Sequence, residues 1–128
     1  MKVSTFKNAL DTVPVYSTLD IIAGEIKGGK YAKLVAAIRA EPDKEKRDEL
    51  KKELAAFSMA TFTGKRRLKD ELKASGGAIM DFDDVNGTGQ KIIDVAKQRG
   101  AAMAFLSPGG DGVKAVFPYN RDVTGTEH

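Results

Sequence analysis

Apolar residues recur at helical spacing through the first half of the chain and then give way to short apolar runs bounded by glycine. After a short apolar start around Val13–Tyr16, Ser17 or Thr18 can cap a helix whose apolar positions are Leu19, Ile22, Ala23 and Ile26. Gly28-Gly29 ends it. A second helix is expected from about Tyr31 to Arg39, with Leu34, Val35 and Ile38 on one face, and Pro42 limits it by removing a backbone donor. Residues 41–54 predict a third, highly charged helix. Its apolar anchors, Leu50 and Leu54, are four apart, so a narrow stripe meets the core and the remaining charges form a solvated face.

The periodicity changes at Phe57. Residues 57–62 alternate and are rich in aromatic and β-branched side chains, which predicts a strand ending at Gly64. From Gly76 an apolar run leads through Met80 to Asp81-Phe82-Asp83 and a glycine-bearing turn. A helix is expected over Thr88–Arg99, stopped by Gly100, followed by apolar runs at 101–106 and 113–119. Strand, helix and strand with short links predict a right-handed βαβ unit, and the last two runs a hairpin. The expected fold class is α/β (α+β): one domain over 1–128, mostly helical over 1–55, with a mixed sheet over 56–128. Asp81, Asp83 and Ser107 then lie at the carboxyl ends of neighbouring parallel strands, where α/β sheets place their ligands.

Composition narrows the class. At 128 residues, 41% hydrophobic and 30% charged, the chain suits one ordinary globular domain. It has no cysteine, so disulfides and thiolate metal sites are excluded and an intracellular, cytoplasmic location is the simpler expectation. The N-terminus lacks the apolar core of a signal peptide, and no apolar run approaches the ~20 residues of a membrane span. The net charge of +3 says little about partners, but residues 63–69, Thr-Gly-Lys-Arg-Arg-Leu-Lys, carry four cations and no acid. Lys65, Arg66 and Arg67 there form a candidate nucleic-acid-facing patch; a solvated basic turn has the same composition.

Asp81 and Asp83 are two apart on an expected strand, so they share a face while Phe82 points into the core. Two carboxylates crowded together repel unless a cation sits between them, which makes the pair a candidate Mg²⁺ or Mn²⁺ site handling phosphates. Asp84 is assigned to the turn, and a plain surface turn would also explain the acids. Ser107-Pro108-Gly109-Gly110-Asp111-Gly112-Val113-Lys114 places three glycines within four residues before a lysine. Glycines let a backbone present N–H groups to a phosphate, and Lys114 could add a point charge; an ordinary hairpin turn uses the same residues. His128, the single histidine, is assigned no role.

Several of these segments, in this order, resemble the VirE N-terminal-type domain, a branch of the archaeo-eukaryotic primase (primase-polymerase) superfamily found in replication proteins of phages and mobile elements. Lys51-Lys52-Glu53-Leu54 and Ala60-Thr61-Phe62-Thr63-Gly64 resemble its lysine-leucine segment and its small Thr/Ser-Phe-Ser/Thr-Gly motif. Ser75–Asp83 is similar to its apolar-strand DxD, and Phe105–Lys114 to its Ser-Pro-Ser-Gly-x-Gly-x-Lys stretch. The resemblance implies that Asp81 and Asp83 hold catalytic Mg²⁺ or Mn²⁺ and that Ser107, Gly109, Gly110, Gly112 and Lys114 bind a nucleoside triphosphate. It further implies a DNA template and a helicase domain or subunit as partners, and no membrane. Gly109 stands where the family usually has serine, and Lys114 stands near the place where most primase-polymerases carry histidine, a change typical of this branch. The third acidic motif lies farther downstream than this sequence runs, and Asp122 is too close to the loop to replace it. A fragment, a split gene product or a degenerate copy would each account for that.

Two other functions fit parts of the pattern. Asp81-Phe82-Asp83-Asp84-Val85 matches the DxDx[TV] signature of a haloacid-dehalogenase-like phosphotransferase, with Asp81 as nucleophile and Asp83 as general acid. That fold, however, wants several βα units after its nucleophile strand. In a non-catalytic module, Lys65, Arg66 and Arg67 would grip a nucleic-acid backbone and the acids would be vestigial.

Overall fold

The computed structural model describes residues 2–62 and 72–124. Lys65, Arg66, Arg67, Gly64 and His128 lie outside the described residues. Among the described residues, four helices and seven strands form an α+β fold with two sheets, ordered β2-β1-β3 and β4-β5-β7-β6. Every neighbouring pair in both sheets is antiparallel.

β1 (Lys2–Phe6) and β2 (Val15–Thr18) are strands in the part expected to be mostly helical. β1 gave little sequence signal: Val3, Ser4 and Phe6 are buried, but only Val3 and Phe6 are apolar. α1 (Leu19–Lys27) starts where Thr18 caps it, the Thr18 hydroxyl accepting from the Ile21 amide. α2 (Ala32–Ala40) stops two residues before Pro42, and α3 (Lys44–Lys52), capped by Asp43, buries no residue fully. Between α1 and α2, Glu25 accepts from Lys30 at 3.2 Å and from the Tyr31 hydroxyl at 3.1 Å. Burial, and then Glu25, pushes the Tyr31 phenol above its ordinary pKa.

The strand expected over 57–62 is two strands. β3 (Ala56–Ser58) pairs with β1, whereas β4 (Ala60–Phe62) pairs with β5. Met59, 3% exposed, is the corner, and its side chain plugs the core that the two sheets share. That core joins Val3, Leu19 and Ile22 to Met103 and Val116, with Ile79 and Phe105 packed on it. The buried Ser4 hydroxyl donates to the Ala60 carbonyl at 2.6 Å, which ties β1 to the start of the second sheet.

β5 (Leu72–Phe82), α4 (Gly89–Gln98) and β6 (Met103–Leu106) follow the expected order, with β7 (Val113–Thr124) returning as the hairpin partner of β6. The connection differs from a simple βαβ unit. β5 and β6 run parallel but are not neighbours, because β7 lies between them and pairs antiparallel with both, giving a split βαβ arrangement. The inserted strand is apolar on both faces: Val113, Ala115 and Val116 are at most 1% exposed. Val116 faces the core shared with the first sheet, and Val113 joins Val85 and Ile93 in a second cluster under α4.

Close approach of β5 to β7 requires glycine at 77. A Cβ there would lie 2.6 Å from the Phe117 carbonyl oxygen, beside the register shift between Ser75 and Gly77. Gly77→Ala should therefore force the two strands apart and cost about 1–3 kcal/mol of stability, as overpacking of a close-packed contact does. Urea unfolding monitored by circular dichroism would measure it; an unchanged midpoint would show that the strands can separate freely at this point.

Candidate functional site

β7 sets the geometry. Its second residue, Lys114, is in register with Asp81 on one side and Phe105 on the other. Alternation along β5 puts Asp81 on the same face as Ile79, the face turned towards the shared core, but one step beyond the core's edge. There the Lys114 ammonium donates to Asp81 Oδ1 at 2.7 Å. Both side chains are substantially exposed, at 38% and 56%, so the pair contributes no more than about 1 kcal/mol and can be opened cheaply. The residue expected from the sequence to bind metal and the one expected to bind phosphate thus hold each other. Asp83, one residue past the end of β5, is exposed and has no hydrogen-bonding or ionic partner among the described residues.

The turn after Asp83 is built from left-handed backbone. Asp84 (φ 52°), Asn86 (φ 46°) and Gly87 (φ 85°) adopt it around the buried Val85, which gives Asp84 the turn role expected of it. The Val85 amide donates to the Asp111 carbonyl at 2.9 Å, stitching this turn to the loop between β6 and β7.

That loop is closed by its own groups. The Ser107 amide donates to the Gly112 carbonyl at 2.8 Å, the Gly110 amide to the Ser107 carbonyl at 2.9 Å, and the Gly112 amide to the Ser107 hydroxyl at 3.1 Å. Gly110 has φ +80°, and a Cβ on Gly112 would lie 2.8 Å from the Phe82 carbonyl oxygen. Gly110 and Gly112 therefore spend their amides on the loop itself. The amides of Gly109 and Asp111 are the ones without a partner among the described residues.

Two cations from the N-terminal helices close over this loop. Arg39 of α2 donates from its guanidinium to the carbonyls of Ser107 at 3.2 Å and Pro108 at 3.3 Å. Lys51 of α3 lies over Gly109, where an added Cβ would come within 3.3 Å of its Nζ, so glycine at this position leaves the ammonium its space. Arg39, Lys51 and Lys114 thus border one loop, and Lys51 has no ionic partner among the described residues. Arg39 did not stand out by motif. Arg39 and Lys51 both belong to helices with charged outer faces, and only the Lys51-Lys52-Glu53-Leu54 segment offered a signal that could have singled out Lys51.

The family model for the BT4734-like, N-terminal domain matches residues 49–128. The chain belongs to that family. The BT4734-like match runs from the end of α3 and takes in Lys51, Asp81, Asp83 and the whole loop to Lys114, while Arg39 precedes it. No curated protein and no solved structure matches the chain.

If Arg39 is the strut of this BT4734-like loop, Arg39→Ala should release it locally without unfolding the protein. Loss of two exposed hydrogen bonds from a charged donor is worth about 1 kcal/mol, so amide exchange over residues 107–111 should quicken about fivefold. Hydrogen-exchange mass spectrometry would read this against unchanged exchange in β5 and β7; uniform quickening would mean that Arg39 stabilises the whole fold instead.

Proposed function

We propose that this BT4734-like domain is a primase/polymerase-like nucleotidyltransferase of a phage or mobile-element replication protein, acting on nucleoside triphosphates and a DNA template in the cytoplasm. The observation that carries the proposal is the convergence of Asp81 and Asp83, the Ser107–Lys114 loop and the cations Arg39 and Lys51 at one end of the second sheet. Acids alone would make a turn, and a glycine loop alone a hairpin. Together with three cations they form a place where a polyphosphate can be held beside two carboxylates.

Mg²⁺ or Mn²⁺ fits this donor set in a particular way. Among the described residues no group of three or more histidine, cysteine, aspartate or glutamate side chains could enclose an ion. Mg²⁺, however, is commonly bound through one or two carboxylates with water and substrate phosphates completing its shell. Such an ion supplies Lewis-acid chemistry, offsetting charge on the triphosphate and easing ionisation of the attacking hydroxyl. Asp83 and the second oxygen of Asp81 would hold it. Lys114, freed from Asp81, would turn to the phosphates, with Lys51 and the amides of Gly109 and Asp111 around them. In the transfer, a 3′-oxygen bonds to the α-phosphorus, the α–β bridging P–O bond breaks and pyrophosphate leaves, while the hydroxyl proton passes to water. A helicase domain or subunit would be the partner.

A second function, a non-catalytic nucleic-acid-binding or degenerate primase-like module, is favoured by one observation. Asp81 is already neutralised by Lys114, so the acids do not require a metal to coexist. The haloacid-dehalogenase-like alternative gains no support, since β5 is flanked by antiparallel strands on both sides rather than by successive parallel βα units.

Calorimetric titration of ATP or dATP in the presence of Mg²⁺ or Mn²⁺ tests the proposal directly. The wild type should bind with metal-dependent heat, Asp81→Ala/Asp83→Ala should lose that dependence, and Lys114→Ala should weaken nucleotide binding at least tenfold, the loss of a charge-assisted contact of about 1.5–3 kcal/mol. Absence of nucleotide binding in the wild type would favour the non-catalytic module.

A further inference from the structure

The opposite face of the second sheet carries a separate feature. Between β5, β7 and α4 runs an open cleft of about 580 Å³ lined by Met80, Phe82, Ile92, Val95 and Phe117, with Lys91 and Arg99 at its edge. Its volume falls within the range of ligand-binding clefts. Met80 is 49% and Val95 40% exposed, so this apolar floor is open to solvent. No carboxylate lines it, and neither Lys91 nor Arg99 has an ionic partner among the described residues.

The arrangement has a direction. Phe117 is in register with Ala78, four residues from Phe82 along β5, so the two rings are separated by about 13 Å along the strands. Lys91 and Arg99 are eight residues apart on the helix, about 12 Å along its axis. α4 leaves the end of β5 near Phe82 and delivers the chain to Ala102, whose amide donates to Val116 at 2.8 Å, so its far end lies towards Phe117. Lys91 therefore accompanies Phe82, and Arg99 accompanies Phe117. An aromatic row and a cationic row of matching length lie side by side.

We infer that this cleft binds a short run of single-stranded nucleic acid, bases against Phe82, Met80 and Phe117 and phosphates against Lys91 and Arg99. Stacking on a sheet floor with cations tracking the backbone is sequence-tolerant and salt-dependent. Lys91 and Arg99, with no carboxylate in the lining, select against a cationic peptide and in favour of a polyanion with flat apolar faces. The inference rests on the proposed function only for the expectation that the domain meets DNA; its residues are on the other face of the sheet from Asp81 and Lys114.

Fluorescence anisotropy of a labelled oligothymidylate with the full chain tests it. Wild type should bind, with affinity falling as salt rises; Lys91→Ala/Arg99→Ala should flatten the slope of log K against log salt by about 1.4, at about 0.7 per phosphate contact. Phe117→Leu, which retains apolar volume but removes the ring, should weaken binding roughly tenfold at fixed salt with the slope unchanged. Asp81→Ala/Asp83→Ala should bind the oligonucleotide as the wild type does, which separates this outcome from failure of the nucleotide site. The inference is overturned if the wild type does not bind, if both cleft variants bind unchanged, or if loss of binding follows only from Lys65→Ala/Arg66→Ala/Arg67→Ala. Binding of an apolar dye in the cleft without any oligonucleotide binding would also overturn it, and would mark the cleft as a protein-docking face.

Discussion

Insertion of β7 between β5 and β6 governs where every other group falls. With Val113, Ala115 and Val116 buried on both sides of the sheet, the strand is held by burial worth about 1.5–3 kcal/mol for each large apolar side chain. That grip fixes the register, and the register fixes Lys114 opposite Asp81. A slip of one residue would turn Lys114 towards α4 and Val113 or Ala115 out towards the acids, so the core enforces the ion pair rather than the reverse. The exposed pair is too weak to position a strand.

The same insertion explains how the loop is held. Its two ends belong to strands paired with each other, its middle is pinned to the turn after Asp83 through Val85, and its outer carbonyls are held by Arg39. Three separate stretches of chain therefore meet at one loop of six residues between β6 and β7. Lys51, which has no ionic partner among the described residues, is delivered by a helix that buries none of its residues fully, which leaves its long side chain able to reposition.

Much of this could be read from residue patterns where one periodicity governs a whole element. α1, α2 and α4 fell within a residue or two of their expected limits because apolar spacing and caps such as Thr18 agree. The turn role of Asp84 followed from the residue types tolerated in left-handed backbone. The failures share a cause, which is that pairing partners are distant in sequence. The alternation of residues 57–62 was real, yet it could not disclose that Met59 turns the chain from one sheet into the other. Nor can alternation distinguish adjacent parallel strands from a split pair with a third strand between them. Arg39 was invisible, and Lys51 was marked only by the resemblance of Lys51-Lys52-Glu53-Leu54, because a solvated helical face and a face laid over a loop have the same composition.

The two faces of the second sheet make different demands on one strand. Along β5, Ile79 and Asp81 look towards the shared core and its edge, while Met80 and Phe82 look towards α4. A carboxylate and an exposed methionine in consecutive positions would be wasteful if the strand served the core alone, since neither side chain is buried. Polar exposure on one face and apolar exposure on the other are compatible here because the strand's burial comes from elsewhere, through β7 on its flank and Ile79 beneath. β7 and the Met59 corner supply buried contacts to the core, and that leaves Asp81 exposed at the end of β5 on one side and an open apolar floor on the other.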